Sequence, residues 1–343
     1  MKALRWYGRR DLRYVDIPEP SPGPGEVKVK INLAGICGSD LKEYTDGPGI
    51  IDMEKVPITV GHEFAGKVVE PGEGVTDFKV GERVTGLCYW ACGECHFCKK
   101  GRYNLCLKSG FTGGNKDGCM AEYRIAPDYS LYKLPDSVSD EIGVLVEPLA
   151  VAIHAIRLGK VHIGDTVAVV GDGTIGLCAL LAARASGASE VYVVAKHKLR
   201  GEFATAMGAT AVIYPGEGDP VRQLKDLTSG LGADVSIECV GRPDTPQLAV
   251  DLVRSGGTTV IVGVFEKPSL IDFRTVLFGE KTIVGSPIYI DEARPAIALL
   301  ADGRIDAGRL ITAKVPLKDA VEKGFEELIN NKDKNLKILL QIP

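Results

Sequence analysis

The chain has 343 residues, of which 45% are hydrophobic and 25% charged, and its formal net charge is −4 at pH 7. These values are those of a globular protein and exclude a mostly disordered chain, and the length predicts about two domains. The small negative charge provides no basic field for a nucleic-acid backbone, and no uncharged apolar run reaches about eighteen residues, so we expect neither nucleic acid nor a membrane as a partner. The first residues lack the apolar core of a signal peptide, which predicts a cytoplasmic protein.

The first third of the sequence is typical of short β-strands. Alternating or branched apolar runs are separated by glycine and proline, and they lie at residues 2–7, 12–17, 26–33, 59–70, 82–87 and 121–126. Such a pattern favours small antiparallel sheets or a barrel.

From about residue 139 onwards, apolar strand candidates alternate with helical segments. A helical spacing of apolar residues covers 140–158, and the strand candidates after it are 166–170, 190–195, 211–214, 235–240, 258–264 and 282–288. Helical segments lie between them at 175–185, 200–207, 221–227 and 245–254. Continuous apolar strands that alternate with helices predict a doubly wound parallel sheet, and therefore an α/β protein. The C-terminal segment predicts helix, strand, helix and strand in turn.

A glycine-rich turn follows the first of these strands and opens the next helix. It reads G-x-G-x-x-G, and its residues are Gly171, Gly173, Thr174, Ile175 and Gly176. The glycines permit a tight turn and let the backbone approach a pyrophosphate, whose charge is favourable at the helix N-terminus. We predict a dinucleotide-binding site here. A glycine-rich turn without a ligand is the alternative, and the regular alternation of strands and helices disfavours it.

The end of the following strand bears on the choice of dinucleotide. NAD sites usually place Asp or Glu there, about 20 residues after the motif, to bind the ribose 2′-hydroxyl. This chain has Ala195 at that position, followed by Lys196, Lys198 and Arg200. Because cations suit a 2′-phosphate, we expect NADP(H) to be favoured over NAD(H). A solvated basic helix start is the alternative.

Four of the nine cysteines lie close together in the sequence. Their spacing is Cys92-x2-Cys95-x2-Cys98-x7-Cys106. An odd number of cysteines without a secretion signal argues against a disulfide framework, whereas four thiolates can close a tetrahedral structural zinc site. We expect His96 to be a surface residue, and Cys88 and Cys119 to be packing residues.

A second, looser set of metal donors consists of Cys37, His62, Glu63 and Glu147. One thiolate, one imidazole and a carboxylate can bind zinc with one coordination position left open for a substrate. The spacing alone is weak support, because the donors are far apart in the chain. A buried Cys37 and a surface His62 would be the alternative.

Several motifs together resemble those of the zinc-dependent medium-chain alcohol dehydrogenases, over essentially the whole chain. They are Cys37-Gly38-Ser39-Asp40, Gly61-His62-Glu63, the four-cysteine run, Glu147-Pro148 and the glycine motif, in that order. Within this family the chain is most similar to the sorbitol and (R,R)-2,3-butanediol dehydrogenase branch. Residues 147–151 and 324–329 resemble butanediol dehydrogenases in particular.

The resemblance implies a domain organisation and a set of roles. It implies a GroES-like catalytic domain over 1–155 with a structural zinc lobe at 88–106, a Rossmann NAD(P)-binding domain over 156–290, and a segment 291–343 that completes the catalytic domain. It also implies two zinc ions per chain, of which the catalytic one is bound by Cys37 and His62 with Glu63, Glu147 or both in alternation. Ser39 would pass the substrate proton towards solvent.

Two positions depart from the family pattern. Relatives commonly have His where this chain has Lys42, which leaves the outer part of the proton relay open. They also often have an acidic residue at the position of Ala195, which agrees with the expectation of NADP(H).

The activity implied by the resemblance is the interconversion of a secondary alcohol and its ketone with NAD(P)(H). The small-molecule substrate would be a vicinal diol, a hydroxyketone or a polyol similar to 2,3-butanediol or acetoin, and the enzyme a homodimer or homotetramer. A sugar, sorbitol or L-threonine dehydrogenase would share every motif. A zinc-free quinone reductase is disfavoured by Cys37, His62 and the four-cysteine run, and a non-catalytic zinc-binding protein is the more distant alternative.

Overall fold

The computed structural model describes residues 1–343, and the chain forms two compact units. Unit 1 contains residues 1–147, 293–302 and 311–343, and unit 2 contains residues 148–292 and 303–310. Each unit is therefore built from segments that are not adjacent in the sequence. None of the helices combines the length and the apolar character that a membrane span requires.

The strands are numbered in chain order. They are β1 (Lys2–Gly8), β2 (Asp11–Asp16), β3 (Glu26–Gly35), β4 (Ile58–Thr59), β5 (Glu63–Pro71), β6 (Arg83–Gly86), β7 (Tyr89–Trp90), β8 (Gly110–Phe111), β9 (Tyr123–Pro127), β10 (Leu131–Lys133), β11 (Thr166–Val170), β12 (Glu190–Val194), β13 (Ala211–Ile213), β14 (Ala233–Glu238), β15 (Val253–Ile261), β16 (Thr282–Gly285), β17 (Ile311–Pro316) and β18 (Lys337–Gln341).

The α-helices are numbered in the same way. They are α1 (Gly38–Thr45), α2 (Asp140–Val144), α3 (Val146–Gly159), α4 (Thr174–Ala185), α5 (Lys198–Ala206), α6 (Pro220–Leu227), α7 (Thr245–Leu252), α8 (Phe273–Phe278), α9 (Ala293–Ala301) and α10 (Glu326–Asn330). A π-helical turn at Ala320–Phe325 precedes α10.

Unit 1 is built around a seven-stranded sheet with the strand order β10-β6-β5-β3-β18-β17, in which β9 also pairs with β3. The C-terminal strand β18 lies between β3 and β17, so the last strand of the chain completes a sheet that begins with β3. Leu339 of β18 lies opposite Gly35 of β3, and Gly35 lies opposite Glu63 of β5. Trp6, Phe64 and Phe325 are fully buried in the core of this unit.

Unit 2 contains a six-stranded parallel sheet with the strand order β13-β12-β11-β14-β15-β16. Its core contains Ala168 and Val170 of β11, Tyr192 and Val194 of β12, and Ile213 of β13. The order of the strands reverses between β11 and β14, which is where ligands bind in sheets of this kind. The prediction of an α/β protein with a doubly wound parallel sheet and a β-rich first part is confirmed.

Two predicted elements are each divided into two in the structure. The helix predicted over 140–158 consists of α2 and α3, which are separated at Leu145. Pro148 lies in the first turn of α3, where a residue without an N–H is tolerated. The strand predicted over 59–70 consists of β4, which pairs with β1, and β5, which pairs with β3. Gly61 lies between them with a φ of +91°, a conformation that favours glycine.

Candidate active site and metal centres

The four cysteines of the lobe at 88–106 are brought together in unit 1. Neighbouring Sγ atoms are separated by 3.5 Å (Cys95–Cys98 and Cys92–Cys106), 3.9 Å (Cys92–Cys98) and 4.0 Å (Cys95–Cys106). A disulfide would require about 2.05 Å. Four sulfurs at about 2.3 Å from a central zinc ion would be separated by about 3.8 Å, so the geometry fits a tetrahedral zinc site.

Local hydrogen bonds of the lobe favour thiolates. The backbone N–H groups of Cys92 and Lys108 donate to Cys106 Sγ at 3.3 and 3.4 Å. Backbone hydrogen bonds lower the pKa of Cys95 to about 6, whereas burial raises the pKa of Cys98 to about 12. Four thiolates this close need a cation to balance their charge, and a zinc ion would supply that charge. His96 is exposed, as predicted.

A second group of donors forms around the start of α1. The ligand atoms of Cys37, His62 and Glu63 lie within 4.8 Å of one another. Cys37 is the residue before α1. His62 directly precedes β5 and Glu63 is its first residue, and β5 pairs with the strand that leads to Cys37. Pairing of β3 with β5 thus joins donors that are distant in the sequence. One thiol, one imidazole and one carboxylate are the donor types of a catalytic zinc site.

Glu63 also pairs with a lysine from the C-terminal strand. Lys337 Nζ lies 2.7 Å from both carboxylate oxygens of Glu63 and 2.9 Å from the carbonyl oxygen of Ile36. The two side chains are 2% and 1% exposed. Burial alone would lower the pKa of Lys337, but the negative groups around it, Glu63 first, raise it. The sequence analysis missed Lys337, because no local pattern marks a buried lysine at the end of the chain.

Gly35 explains how these two side chains can meet. It lies between Glu63 and the strand of Lys337, and a Cβ atom at this position would lie 2.1 Å from Glu63 Oε2. Only a residue without a side chain therefore leaves room for the ion pair.

Glu147 lies in the first turn of α3 and is buried, but it is not part of the group formed by Cys37, His62 and Glu63. Burial raises the pKa of Glu147 to about 7, and a hydrogen bond with the buried Cys88 thiol acts in the opposite direction. Cys88 is buried, as predicted, and its contact with a candidate ligand is a feature that the sequence analysis missed. Cys119 is fully buried as well, and its Sγ lies 3.4 Å from the carbonyl oxygen of Glu63.

The surroundings of His62 are strongly negative. Burial would lower its pKa, but Asp40, Cys37 and Glu147 outweigh that effect and raise it to about 10. Asp40 Oδ1 lies 3.8 Å from His62 Nδ1, and Asp40 Oδ2 accepts a hydrogen bond from the Cys37 N–H at 2.9 Å. Negative groups that hold a proton on an imidazole also favour a divalent cation in the same place.

Ser39 lies in the first turn of α1, two residues after Cys37. Its Oγ atom is buried and has no hydrogen-bond partner in the protein. A buried hydroxyl without a partner costs free energy, and a substrate oxygen or a water molecule can satisfy it. Lys42 follows three residues later on the same helix.

The glycine motif of unit 2 has the geometry of a phosphate-binding turn. Gly171 has a φ of +122°, and a Cβ atom on Gly176 would lie 2.1 Å from the carbonyl oxygen of Gly171, so both positions require glycine. Gly173 precedes α4 and has no side chain to cap the helix. A Cβ atom on Gly173 would meet no protein atom within 4 Å, so space is open next to the helix N-terminus. The turn fits a dinucleotide pyrophosphate.

The basic segment after β12 makes contacts that were not foreseen. Ala195 is buried, Lys196 is exposed, and Lys198 forms an ion pair with Glu217. The carboxylate of Asp172, the second residue of the glycine motif, lies next to this segment, and its Oδ1 atom is 3.7 Å from Arg200 Nη1. Asp172 was missed because the motif leaves that position unspecified.

Two segments of the chain match known domain families. Residues 23–136 match the alcohol dehydrogenase GroES-like domain, and residues 174–302 match the zinc-binding dehydrogenase family. The (R,R)-butanediol dehydrogenase of Bacillus subtilis strain 168 is 39% identical to this chain, over 99% of both chains. The chain belongs to the zinc-dependent medium-chain alcohol dehydrogenases, in the sorbitol and butanediol dehydrogenase branch.

Other members of this alcohol dehydrogenase family are similar over almost the same length. Sorbitol dehydrogenase of B. subtilis is 36% identical, over 99% of this chain and 97% of its own. L-threonine 3-dehydrogenase of Bacillus licheniformis is 35% identical, over 95% of both chains. The protein is accordingly an oxidoreductase that acts on the CH–OH group of secondary alcohols or on the corresponding ketones.

Solved structures of alcohol dehydrogenase relatives share the fold. The crystal structure of the B. subtilis 2R,3R-butanediol dehydrogenase has a TM-score of 0.92 with 39% identity, over 99% of both chains. A zinc-binding dehydrogenase of Sinorhizobium meliloti 1021, solved with NADP bound, has a TM-score of 0.90 with 34% identity, over 99% of this chain and 98% of its own. A short chain alcohol dehydrogenase of Escherichia coli CFT073, solved with NADH, has a TM-score of 0.93 with 29% identity, over 99% of both chains.

Proposed function

We propose that this dehydrogenase interconverts a vicinal diol and an α-hydroxyketone, of the type of 2,3-butanediol and acetoin. The observation that carries this proposal is the group of the half-buried Cys37 with the buried His62 and Glu63, together with the unsatisfied hydroxyl of Ser39 two residues from Cys37. The diol substrate class is supported by the 39% identity to a butanediol dehydrogenase over nearly the whole chain. A sugar, sorbitol or L-threonine substrate is the alternative, supported by relatives of 36% and 35% identity.

Two zinc ions per chain complete the proposed enzyme. Cys92, Cys95, Cys98 and Cys106 would hold a structural zinc ion, and Cys37 and His62 would hold the catalytic one together with Glu63 or Glu147. Lys337 donates to both oxygens of Glu63 and so competes with a zinc ion for them. Glu147 has the weaker competing contact of the two carboxylates. When bound, the zinc ion supplies Lewis-acid polarisation of the substrate oxygen and the nicotinamide supplies the hydride chemistry.

The chain's own residues orient the reactants and move the proton. Ser39 Oγ accepts a hydrogen bond from the alcohol and, during oxidation, takes its proton while it passes its own hydroxyl proton on towards solvent; during reduction of the ketone the same relay runs in reverse. Asp40 orients the site, because it holds the Cys37 N–H and faces His62 Nδ1. Burial of Glu63, Glu147 and Lys337 keeps bulk water away from these groups.

For the cofactor we propose NADP(H) in preference to NAD(H). Gly171, Gly173, Thr174, Ile175 and Gly176 form the turn at the pyrophosphate. No carboxylate is present at Ala195, and Lys196, Lys198 and Arg200 follow it. Cations at this place favour a 2′-phosphate, to which a guanidinium group can donate charge-assisted hydrogen bonds.

The proposed domains are a catalytic domain formed by residues 1–155 and 291–343 and a cofactor domain formed by residues 156–290. We further propose a homodimer or homotetramer in the cytoplasm, a compartment that keeps thiolates such as those of the cysteine lobe reduced. Unit 2 supports self-association, because β16 is an edge strand and α8 and its neighbourhood expose large apolar side chains. They are Leu270 (88% exposed), Phe273 (69%), Leu277 (70%) and Phe278 (83%).

A matrix of substrates and cofactors tests the proposal. Initial rates would be measured for diols, polyols, L-threonine and hydroxyketones with both NADP(H) and NAD(H). We expect the highest kcat/KM for acetoin reduction or 2,3-butanediol oxidation. A higher kcat/KM for L-threonine or for a polyol would favour the alternative substrate class, and turnover by protein without zinc would favour a different reductase class.

A further inference from the structure

Asp172 places a buried carboxylate against the start of α5. Its Oδ2 atom accepts hydrogen bonds from the backbone N–H groups of Lys196 (2.9 Å) and His197 (2.8 Å), and it lies 3.1 Å from His197 Nδ1. Its Oδ1 atom lies 3.7 Å from Arg200 Nη1. The side chains of Asp172 and Arg200 are only 9% and 14% exposed.

These contacts occupy donors that would otherwise suit an external anion. Backbone N–H groups at a helix N-terminus and an adjacent guanidinium group are the groups that bind a phosphate. In this chain the two N–H groups before α5 already bind a carboxylate that belongs to the protein. The negative charge at the start of α5 therefore comes from Asp172 in the glycine turn, because the end of β12 carries the uncharged Ala195.

We propose that Asp172 is a cofactor-discriminating residue, which opposes the 2′-phosphate of NADP(H) and accepts a hydrogen bond from the 2′-hydroxyl of NAD(H). The inference rests on the cofactor site of the proposed function, but it does not depend on which dinucleotide the wild type prefers. Lys196, Lys198 and Arg200 favour the phosphate, and Asp172 reduces that preference. The chain thus places the discriminating carboxylate on the turn after β11 rather than at the end of β12.

The position of Asp172 makes it difficult to displace. If the carboxylate turned away, two backbone N–H groups before α5 would lose their acceptor. A phosphate bound near Arg200 would therefore lie close to a fixed negative charge. Like charges within ~4–6 Å commonly shift a protonation equilibrium ten-fold or more, and we expect an effect of about ten-fold on phosphate binding.

The test uses Asp172→Asn, because asparagine keeps an oxygen acceptor for the two N–H groups but removes the charge. Dissociation constants for adenosine 2′,5′-bisphosphate, 5′-AMP, NADP⁺ and NAD⁺ would be measured by isothermal titration calorimetry, which needs no turnover. Asp172→Ser is a second uncharged variant in case Asp172→Asn does not fold. Asp219→Asn is the matched control, because Asp219 also accepts a backbone hydrogen bond at a helix N-terminus of unit 2, that of α6.

We expect Asp172→Asn to increase the affinity for adenosine 2′,5′-bisphosphate relative to 5′-AMP by about ten-fold, and the affinity for NADP⁺ relative to NAD⁺ in the same direction. Asp219→Asn should leave both ratios unchanged. An unchanged affinity ratio of adenosine 2′,5′-bisphosphate to 5′-AMP in a folded Asp172 variant would overturn the inference. A lower ratio would also overturn it, because it would mean that Asp172 positions Arg200 for the phosphate. A wild type that prefers NAD⁺ would contradict only the proposed NADP(H) preference, whereas no binding of any of the four compounds would contradict both.

Discussion

Lys337 and Glu63 form a buried ion pair in which one ammonium nitrogen lies 2.7 Å from both carboxylate oxygens. The two residues are 274 positions apart in the sequence, and the strand order places β18 next to β3 so that they meet over Gly35. The C-terminal strand therefore supplies a positive charge next to the candidate metal site. A buried carboxylate beside a thiol and a second carboxylate would otherwise carry uncompensated negative charge.

Removal of one partner of this pair should destabilise unit 1. Lys337→Met leaves Glu63 buried without its cation, and we expect a loss of about 3–5 kcal/mol in the free energy of unfolding. The double variant Lys337→Met/Glu63→Gln should recover a large part of that loss, because no uncompensated charge remains. Urea denaturation of the wild type, both single variants and the double variant would measure the coupling. If the effects of the two single substitutions on the free energy of unfolding add up in the double variant, the two side chains are not energetically coupled.

The two donor groups should respond differently to mutation. We expect two zinc ions per chain in the wild type, one zinc ion and a folded but inactive protein for Cys37→Ala, and one zinc ion with reduced thermal stability for Cys95→Ala. Cys178→Ala is the control, because Cys178 is buried in α4 of unit 2 and belongs to neither donor group. Elemental analysis and thermal unfolding would be measured on the same samples. Fewer than two sites in freshly purified, zinc-supplemented wild type would contradict the two-zinc arrangement.

Ser39 should affect the redox step alone. Ser39→Ala is expected to lower the rate of hydride transfer by about 10²–10⁴-fold, the range of general acid–base contributions, while zinc content and cofactor binding stay unchanged. Ser39→Thr keeps the hydroxyl and is the matched control. Single-turnover kinetics with a deuterated alcohol would confirm that hydride transfer is the step observed. Unchanged turnover in Ser39→Ala under those conditions would assign the proton transfer to another group.

The basic segment after β12 should set the cofactor ratio. Ala195→Asp is expected to lower kcat/KM for NADP(H) relative to NAD(H), because it adds a carboxylate that repels the phosphate and can bind the ribose. Arg200→Ala and Lys196→Ala should act in the same direction, since one charge-assisted hydrogen bond contributes ~1.5–3 kcal/mol, or about ten-fold or more in affinity. Lys225→Ala, an exposed lysine on α6, serves as the control. If none of the three variants changes kcat/KM for NADP(H) relative to NAD(H), these cations do not contact the 2′-phosphate.

Stability at low pH should depend on Glu292 of unit 2. Burial would raise its pKa, but hydrogen bonds from His154, the Ile290 N–H and Arg157 outweigh burial and lower the pKa to about 2. A lowered carboxyl pKa stabilises the folded state above the unfolded-state pKa of about 4.5, and this contribution, up to about 3 kcal/mol, is lost as the pH falls towards 2. Glu292→Gln should therefore destabilise the protein at pH 7 and much less near pH 2.5. Asp291→Asn, an exposed neighbour, should change little. An equal effect of Glu292→Gln at both pH values would contradict the ionic origin.

Local patterns in the sequence predicted most of the fold and part of the site. The glycine motif and the spacing of the four cysteines are short, and each depends on neighbouring residues, so they could be read directly. Lys337 could not be found in this way, because its contact with Glu63 depends on the pairing of β18 with β3.

Asp172 was not predicted from the sequence for a related reason. A discriminating carboxylate is expected at the end of β12, where this chain has Ala195, whereas the carboxylate of Asp172 comes from the turn after the neighbouring strand β11. The break of the predicted helix at Leu145 was also missed, because the apolar spacing continues through it. Contacts between parallel strands and small changes of helix direction are tertiary properties that residue spacing alone does not contain.

One measurement tests the assignment of a zinc-dependent secondary-alcohol dehydrogenase most directly. NADPH oxidation in the presence of acetoin would be followed for the zinc-loaded protein, for protein depleted of its more labile zinc by a chelator, and for the depleted protein after zinc is restored, with NADH in parallel. We expect turnover by the loaded protein, its loss on depletion and its recovery with zinc. Full turnover by protein that contains no zinc, or no turnover of any diol, polyol or hydroxyketone by protein that holds both zinc ions and binds the cofactor, would contradict the assignment.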